Sequence, residues 1–361
     1  MEKIIVTVTN DLYTDQRVAK VCDTLADNNF NVLLVGRKLQ NSKKLDRKYQ
    51  TKRIRLLFNT GFFFFAEYNF RLFFYLLFTK KDILLSNDLD TLLPNYLVAK
   101  IQRKKIVFDS HELFSEIPEL VNRPKVKKVW LILETWLLPK LQNNYTVCNS
   151  IARYYKNKYN SSFETIMNLP TKKELKLGHF PFESSDKKII LYQGAINVGR
   201  GLENLIETMH FLEHHLLVII GDGDIYNILK DKVSSEKLNN KIIFLGKIAP
   251  VDLHKLTPLA NLGVSLEEDL GLNYRFALPN KIFDYIQAEV PILVSNLPEM
   301  SAIIKCYKVG EIVKNTNPKE LAKQIEEILN KDFSKELKLA KEILIWEKQE
   351  PKLLSIFSNL K

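Results

Sequence analysis

The chain has 361 residues, 46% of them hydrophobic, which predicts a globular protein of about two domains with well-formed cores. Its three cysteines, Cys22, Cys148 and Cys306, stand far apart and form no C-x-x-C pair. This spacing indicates neither a zinc cluster nor a disulfide framework, so we expect a reduced, cytoplasmic protein.

The formal net charge of +11 is divided unequally along the chain. Residues 1–182 hold 30 Lys and Arg against 17 Asp and Glu, a net +13, whereas residues 183–361 hold 23 against 25, a net −2. This asymmetry indicates that the first half meets a polyanion: a membrane surface, a nucleic acid or an acidic acceptor. A basic, solvated face without a partner is the alternative.

The first half alternates short β-branched runs with amphipathic stretches. Met1 leads almost directly into the first predicted strand, so we expect no secretory signal. The predicted strands are 4–8, 32–35, 83–85, 105–108 and 145–147, and the predicted helices are 15–28, 91–102, 126–142 and 151–158. Repeated strand–helix units predict a parallel sheet covered on both faces.

One aromatic stretch, residues 61–78, approaches the length of a membrane span. Glu67, Asn69 and Arg71 lie in its middle, where charges oppose spanning. We therefore predict a helix packed on the sheet. An interfacial helix is the alternative, supported by Lys80 and Lys81 at its end.

A second strand–helix series follows a linker. Turn-forming residues interrupt the periodicity around residues 171–187, and strands are predicted at 188–193, 216–220, 242–245, 262–266 and 292–295. We predict an α/β protein of two doubly wound Rossmann-like domains, residues 1–170 and 188–344, and a C-terminal helix at 345–361 packing back toward the first domain. Ligands of two such domains bind in a central cleft, at the carboxyl ends of the strands.

The segment 263–295 is the most informative in the chain. It predicts a strand, an acidic loop, a helix opened by Pro279 and a second buried strand. The amides and the dipole at the start of a helix suit a diphosphate, and Asp284 offers a carboxylate one turn later for sugar hydroxyls. A nucleotide-sugar site is the function that this pattern favours.

Other strand ends carry candidate ligands. Gly194, Gly201, Gly221 and Gly223 permit close backbone approach, and Arg200 supplies a positive charge for phosphate. In the first domain, His111 is surrounded by polar residues that we expect on the acceptor side of the cleft: Asn87, Asp88, Asp109 and Glu112. His111 could bond a sugar hydroxyl or act as a base, although a structural histidine at a turn is the alternative.

Two D-x-D pairs, Asp88 with Asp90 and Asp222 with Asp224, have the spacing of metal ligands. Aspartate is common in turns after strands, so we interpret both as turn residues and predict no metal site.

Together these motifs resemble glycosyltransferase family 4, retaining enzymes of the GT-B fold. Residues 192–206 are similar to the family's G-R-L-x-x-x-K-G-x-x-x-L-I segment, and residues 217–223 to its strand ending in G-[DE]-G. Residues 278–285 with 290–295 resemble the donor-site helix and the strand after it. Residues 7–12 and 109–114 resemble a branch that acts in bacterial surface-polysaccharide assembly.

The resemblance implies that the second domain binds a nucleoside diphosphate sugar and the first binds the acceptor. Arg200 and Lys281, with amides near Asn280, would hold the diphosphate without an obligatory metal or other cofactor. Asp284 would bond the ribose, Glu268 or Glu267 would sit near the transferred sugar, and His111 would contact that sugar from the other domain. The spacing leaves open which of the two glutamates does so.

The chain departs from the family pattern at several positions. Ala195 stands where the family has an arginine, Phe276 precedes Asp284 by the eight residues that separate the family's paired acids, and Glu289 replaces a small glycine. The first loop is residues 10–17 rather than a glycine-rich turn.

The leading hypothesis is a retaining glycosyltransferase that works at the inner membrane face on a lipid-linked or saccharide acceptor. The basic first half would hold the protein on anionic lipid. A nucleotide-sugar epimerase, or another non-transferring enzyme of the same fold, is the alternative. A nucleic-acid-binding protein is a third hypothesis, but the aromatic residues at 62–78 look buried rather than interleaved with basic ones.

Overall fold

The chain folds into two units, residues 1–168 with 349–361 and residues 169–348. The computed structural model describes every residue except 14, 118, 119, 121, 122, 184, 185 and 361. Each unit is built on its own parallel sheet with helices packed against it, so the predicted pair of Rossmann-like α/β domains is confirmed.

The sheet of the first unit has seven parallel strands in the order β3-β2-β1-β4-β5-β6-β7. The strands are β1 Lys3–Asp11, β2 Asn31–Lys38, β3 Gln50–Arg55, β4 Ile83–Asn87, β5 Lys105–Ser110, β6 Asn144–Thr146 and β7 Glu164–Thr165. The helices between them are α1 Gln16–Asp27, α2 Gly61–Phe78, α3 Leu89–Gln102, α4 Pro124–Leu137 and α5 Asn149–Tyr159. The central strand β4 is buried along its whole length, as expected of a strand covered on both faces.

The sheet of the second unit has six parallel strands in the order β10-β9-β8-β11-β12-β13. They are β8 Lys188–Gln193, β9 His215–Ile220, β10 Ile242–Gly246, β11 Leu262–Ser265, β12 Ile292–Val294 and β13 Gly310–Ile312. The helices are α6 Leu202–Thr208, α7 Tyr226–Ser235, α8 Pro250–Leu256, α9 Leu272–Arg275, α10 Asn280–Gln287, α11 Pro298–Tyr307, α12 Pro318–Leu329 and α13 Ser334–Ile343.

The last helix, α14 Glu350–Ser358, belongs to the first unit. It packs on α1, where the rings of Phe30 and Phe357 lie 6.1 Å apart. Thr24 donates a 2.7 Å hydrogen bond to Glu350, which fixes the start of the helix. Residues 349–361 therefore complete a core that the first 168 residues begin.

Three strands, β3, β7 and β13, were not predicted, and each lies at a sheet edge; β7 is only two residues long. β3 carries three basic residues in six, a pattern that protects an edge strand from pairing with another chain but hides its β character. β13 is three residues long, too short for an alternating pattern to be recognised. Edge strands thus carry the weakest signal in this chain.

The helix 61–78 packs on the sheet as predicted. Phe64, Tyr68, Leu72 and Leu76 are buried on one side of α2 and join a core with β1 and β4. Lys81, expected to support an interfacial helix, is instead buried, and its ammonium donates to the carbonyls of Leu76 and Thr79 at the end of α2. Among the described residues, no helix combines the length and apolar character needed to cross a bilayer.

Candidate functional site

The best-defined polar cluster of the second unit lies where β8 and β11 are neighbours. The strand order reverses direction between these two strands, and ligands of doubly wound sheets bind beyond the carboxyl ends at such a point. The loop 194–201 follows β8 and the loop 266–279 follows β11. The sheet therefore brings together the two segments that the sequence singled out.

Glu267 is the centre of this cluster. One carboxylate oxygen accepts from Lys281 Nζ at 2.9 Å and lies 3.6 Å from an Arg200 nitrogen, and the other accepts from Ser265 Oγ at 2.6 Å. Burial opposes ionisation of Glu267, but Lys281, the Ser265 hydroxyl and Arg200 outweigh it and lower its pKa. Two cations therefore converge on one buried carboxylate, which leaves one positive charge in excess.

Each cation also lies against an aromatic ring. Lys281 Nζ lies 4.0 Å from the ring centroid of Tyr192, and the guanidinium of Arg200 lies 5.5 Å from that of Tyr274. Such contacts hold a cation in place without cancelling its charge. Arg200 Nε is buried and donates no hydrogen bond to any residue that the structure describes. Arg200 is therefore prepared to bind a further acceptor.

Glycines let three backbone turns meet beside these cations. A Cβ on Gly201, where φ is +69°, would overlap the carbonyl oxygen of Leu266, and a Cβ on Gly221, where φ is +150°, would overlap that of Gly194. A Cβ on Gly223 would collide with Ile196 in the same way. Larger residues are excluded because the backbones are in contact, not only because of the local conformation.

The start of α10 supplies backbone donors and a second carboxylate. The helix begins at Asn280 with Pro279 as its N-cap, which has no side-chain group to cap the first amides. Asp284, half-buried on this helix, accepts a 3.3 Å hydrogen bond from Gln193 Nε2. The Gln193 side chain accepts in turn from Thr257 at 2.9 Å. Gln193 and Thr257, which sequence reasoning did not assign, thus orient Asp284.

The two candidate glutamates have different surroundings. Glu267 is buried in the charge cluster, whereas Glu268 is exposed and its backbone N–H donates to the carbonyl of Gly199 at 2.9 Å. Burial and the nearby Glu203 raise the pKa of the Glu268 carboxyl. The structure therefore separates a residue that organises the cations from one that faces solvent. Asn280 is exposed too.

Glu289 explains one departure from the family pattern. It has a φ of +57°, the left-handed conformation that ends α10, and Lys341 forms a 2.9 Å ion pair with its side chain. Glycine is favoured at this position for its backbone freedom. The glutamate adopts a backbone conformation that glycine favours and adds an ion pair to α13.

In the first unit, the predicted acceptor-side residues gather around His111. Its Nδ1 lies 3.2 Å from Asp88, and its Nε2 lies 3.1 Å from Asp109 and 3.2 Å from Asn87. Burial alone would lower the pKa of His111, but the carboxylates of Asp88 and Asp109 outweigh burial and raise it to about 10. At neutral pH the ring is an imidazolium with a partner for each nitrogen. This geometry favours a hydrogen-bond donor over a general base.

Arg17 holds this cluster together, and sequence reasoning missed it. Its guanidinium makes two hydrogen bonds to Asp109, at 2.9 and 3.0 Å, and a third to the carbonyl of Ile166 at 2.9 Å. Burial opposes ionisation of Asp109, but Arg17 and His111 lower its pKa to about 2. Asp109 thus supports the protonated ring at Nε2, while Asp88 supports it at Nδ1. The only sequence signal was a basic residue inside the atypical first loop, 10–17.

Of the remaining candidates, Asp222 lies in the loop after β9 as predicted, whereas Asp90 is not a turn residue but is buried in the first turn of α3. Asp222 accepts from the amide of Gly223 at 2.9 Å, and Asp90 accepts from Thr9 at 2.5 Å. The backbone carbonyl of Glu112, rather than its side chain, accepts from Ser110 at 3.0 Å. Within the described part of the chain, no group of three His, Cys, Asp or Glu side chains is arranged to hold a metal ion.

Sequence comparison matches the second unit to a known family. Residues 179–343 match the family model "Glycosyl transferases group 1". An uncharacterized glycosyltransferase of Methanocaldococcus jannaschii is 31% identical over 150 residues, which cover 40% of this chain and 36% of that protein. The alignment thus spans about a third of the curated relative.

Solved structures match the fold over nearly the whole chain. Sucrose-phosphate synthase from Thermosynechococcus elongatus has a TM-score of 0.81 at 15% identity, covering 99% of this chain and 98% of that one. The Anabaena protein HepE, in complex with UDP and glucose, has a TM-score of 0.74 at 13% identity and full coverage of both chains. At such low identity these likenesses show the GT-B fold. The match of residues 179–343 to that family model supports a transferase enzyme.

Proposed function

We propose that the chain is a retaining glycosyltransferase of family 4 that transfers a sugar from a nucleoside diphosphate sugar to a saccharide or lipid-linked acceptor. The observation that carries the proposal is the convergence of Arg200 and Lys281 on Glu267, beside the glycine turns and the start of α10. An excess cation, backbone amides and a second carboxylate form the set that a sugar nucleotide requires.

The reaction that this set favours is departure of the diphosphate. The bond from the anomeric carbon to the phosphate oxygen breaks, and the leaving oxygen takes the electron pair. Lys281 and Arg200 lie where they would stabilise that growing charge, with the α10 amides assisting. In this scheme the side chains, rather than a metal cofactor, supply the charge.

Glu267 has a preparatory role in the proposal. It keeps both cations in place before the donor arrives and offsets part of their charge. A diphosphate carries more negative charge than one carboxylate, so it would draw the cations toward itself without displacing Glu267. Asp284, oriented by Gln193, is the proposed partner of the ribose hydroxyls. Glu268, exposed after β11, is the proposed neighbour of the transferred sugar.

His111 is proposed to act on the sugar from the first unit through its positive charge, since both ring nitrogens already have partners. The raised pKa makes it an imidazolium, so it would stabilise negative charge rather than remove a proton. Asn87, Asp88, Asp109 and Glu112 would shape the acceptor side around it. This assignment keeps the predicted residue and replaces the base with a fixed positive charge.

The acceptor and the location follow from charge. The first unit holds 29 Lys and Arg against 17 Asp and Glu, a net +12, and the second holds 24 against 25. A basic acceptor unit suits an acidic or lipid-linked acceptor at the inner membrane face. We propose a peripheral protein that acts in cell-surface polysaccharide synthesis.

A panel of UDP-, GDP- and other nucleotide sugars tests the donor. The matching donor should raise the Tm of the wild-type protein, because a bound ligand stabilises the folded state by RT ln(1 + [L]/Kd). The Arg200→Ala variant should lose that shift, and Lys188→Ala, a substitution of an exposed lysine at the start of β8, serves as the control. Equal shifts in all three proteins would contradict the site, and no shift with any donor would contradict the function.

The epimerase alternative is not favoured, because the sequence matches are to glycosyltransferases. Incubation with the identified donor and no acceptor separates the two. An epimerase converts the donor to a second nucleotide sugar, whereas the proposed transferase leaves it intact or hydrolyses it slowly.

A further inference from the structure

The helix α2 is apolar on two sides. One side packs into the core of the first unit, and the other is exposed to solvent. At 100° per residue, its buried positions fall on average about 145° from the exposed positions Phe63, Phe70, Phe74 and Phe78. Phe70 is 65% exposed and Phe78 is 81% exposed. Single exposed rings are common on protein surfaces, but a row of four along one helix indicates an interaction surface.

The helix α4 carries a second row of exposed apolar residues. The ring of Phe65 on α2 meets that of Trp130 on α4 edge-on at 5.1 Å, so the two helices are neighbours. Beyond that contact, α4 exposes Val129, Ile132 and Trp136 at helical spacing. We call these seven exposed side chains, four on α2 and three on α4, the aromatic face.

Basic residues border the aromatic face. Lys125 and Lys128 lie on the same exposed side of α4, Lys80 follows α2, and Lys140 lies 4.5 Å from the Trp136 ring. With the residues that the structure describes, Lys80, Lys125 and Lys128 form no ion pair. On α2, Glu67 pairs with Arg71 at 2.8 Å and accepts from the amides of residues 57 and 58, so the acid in the middle of the helix is neutralised.

We propose that the aromatic face inserts into the headgroup region of an anionic lipid bilayer. Exposed Phe and Trp side chains with lysines at their margin are the composition of an interfacial surface, with rings at the acyl boundary and ammonium groups at the phosphates. Anionic lipid fits the +12 charge of the unit. A second copy of the chain fits poorly, because it would oppose like charges around the rings.

The proposed role of the aromatic face rests on the peripheral membrane location in the proposed function. It does not depend on the residues assigned to the transfer reaction. Net charge alone predicts vesicle binding that salt abolishes. Inserted rings predict a component that persists at high salt, because burial of apolar surface is not screened. The binding surface is thereby located on α2 and α4.

Flotation with vesicles tests the proposal. Wild-type protein should float with vesicles of phosphatidylcholine and phosphatidylglycerol, and less with phosphatidylcholine alone. The double variant Phe70→Ser/Phe74→Ser should lower the vesicle affinity by at least about tenfold, since each ring removes a large buried apolar surface. Lys125→Glu/Lys128→Glu should lower it about fivefold per residue on anionic vesicles only.

A matched control lies on α13 of the second unit, where Leu339 and Ile343 are also exposed apolar residues. Leu339→Ser/Ile343→Ser should float like the wild type, and an unchanged Tm checks the folding of every variant. The donor-induced Tm shift should persist in the Phe70→Ser/Phe74→Ser variant. Loss of flotation with retention of that shift separates failure of the surface from failure of the site.

The fluorescence of Trp136 reports directly on insertion into the bilayer. It is 43% exposed, while Trp130 and Trp346, the other two tryptophans, are buried. Anionic vesicles should shift the emission to shorter wavelength, brominated phospholipid should quench it, and Trp136→Phe should remove both effects. Equal flotation of wild type and Phe70→Ser/Phe74→Ser would overturn the proposal. So would a concentration-dependent dimer that this variant abolishes, or binding to RNA in place of vesicles.

Discussion

The two units bury charge at the ends of their strands in opposite ways. In the second unit, Arg200 and Lys281 share one carboxylate, Glu267, so positive charge is in excess and one guanidinium nitrogen has no described acceptor. In the first unit, Arg17 and His111 are matched by Asp109 and Asp88, and the ring nitrogens and most of the guanidinium are already bonded. The first arrangement is suited to receiving an anion, and the second to holding a fixed shape.

The difference teaches that a buried ion cluster is not by itself a binding site. The two ion clusters differ in their balance of charge and in the number of hydrogen-bond donors still available. A cluster with an unmatched donor gains stability when a ligand arrives, whereas a matched cluster loses an existing bond for each new one.

The largest expected effect on stability comes from breaking the cluster of Arg17, Asp109 and His111 in the first unit. Arg17→Ala leaves Asp109 buried without its main partner and should lower the free energy of unfolding by about 3–5 kcal/mol. Urea denaturation checks this, with Lys20→Ala, a substitution of a partly exposed lysine in the same helix, as the control. A loss no greater than that of the control would show that the cluster does not stabilise the unit.

Breaking the cluster of Arg200, Lys281 and Glu267 in the second unit should affect catalysis first. Lys281→Ala removes a cation from the leaving diphosphate and should lower the transfer rate by about 10²–10³-fold. The change also strands Glu267, so stability falls as well. The double variant Glu267→Gln/Lys281→Met should recover stability but not activity. Activity that returns together with stability would assign both residues to structure alone.

Substitutions at two glycines distinguish the effect of a close backbone contact from that of a positive φ alone. Gly221→Ala forces a methyl group against the Gly194 carbonyl and should cost about 2–3 kcal/mol, with loss of the donor-induced Tm shift. Gly246→Ala also has a positive φ, +66°, but nothing lies within 4 Å of its Cβ, so it should cost about 1 kcal/mol and keep that shift. Similar losses in both variants would mean that the turns need no close approach.

The smallest effect, measured per pH unit, is the dependence of stability on pH. His111 has a folded pKa of about 10, above its unfolded value near 6.5, so its contribution is complete below about pH 6.5 and is lost as pH rises toward 10. The slope for one proton is at most about 1.4 kcal/mol per pH unit. Denaturation between pH 6 and 10 should show this slope in the wild type and a shallower one in His111→Gln. Identical profiles would mean that the ring is not held protonated.

The sequence predicted the parts of this molecule that depend on local pattern. Continuous apolar runs such as residues 216–220 identify central strands, and Pro279 marks the start of α10 because its side chain restricts the backbone there. The glycines and Arg200 were recognisable because their spacing matches a known motif. Contacts between distant segments left no such trace.

Three examples show why the rest could not be predicted. Arg17 meets Asp109 across 92 residues, and nothing in either local sequence indicates the other. Gln193 reaches Asp284 only because β8 and β11 are neighbours in the sheet. The choice between Glu267 and Glu268 depends on which side of the chain faces inward after β11, and one residue of register reverses it.

The placement of α14 has a consequence for synthesis of the chain. Residues 349–361 finish the first unit, so during translation the second unit has all of its residues before the first one does. Until α14 leaves the ribosome, the surface that α1 and the following Phe30 offer to it stays exposed to solvent. A fragment ending at residue 168 would carry that exposure permanently, and truncation after residue 348 would damage the unit that was made first.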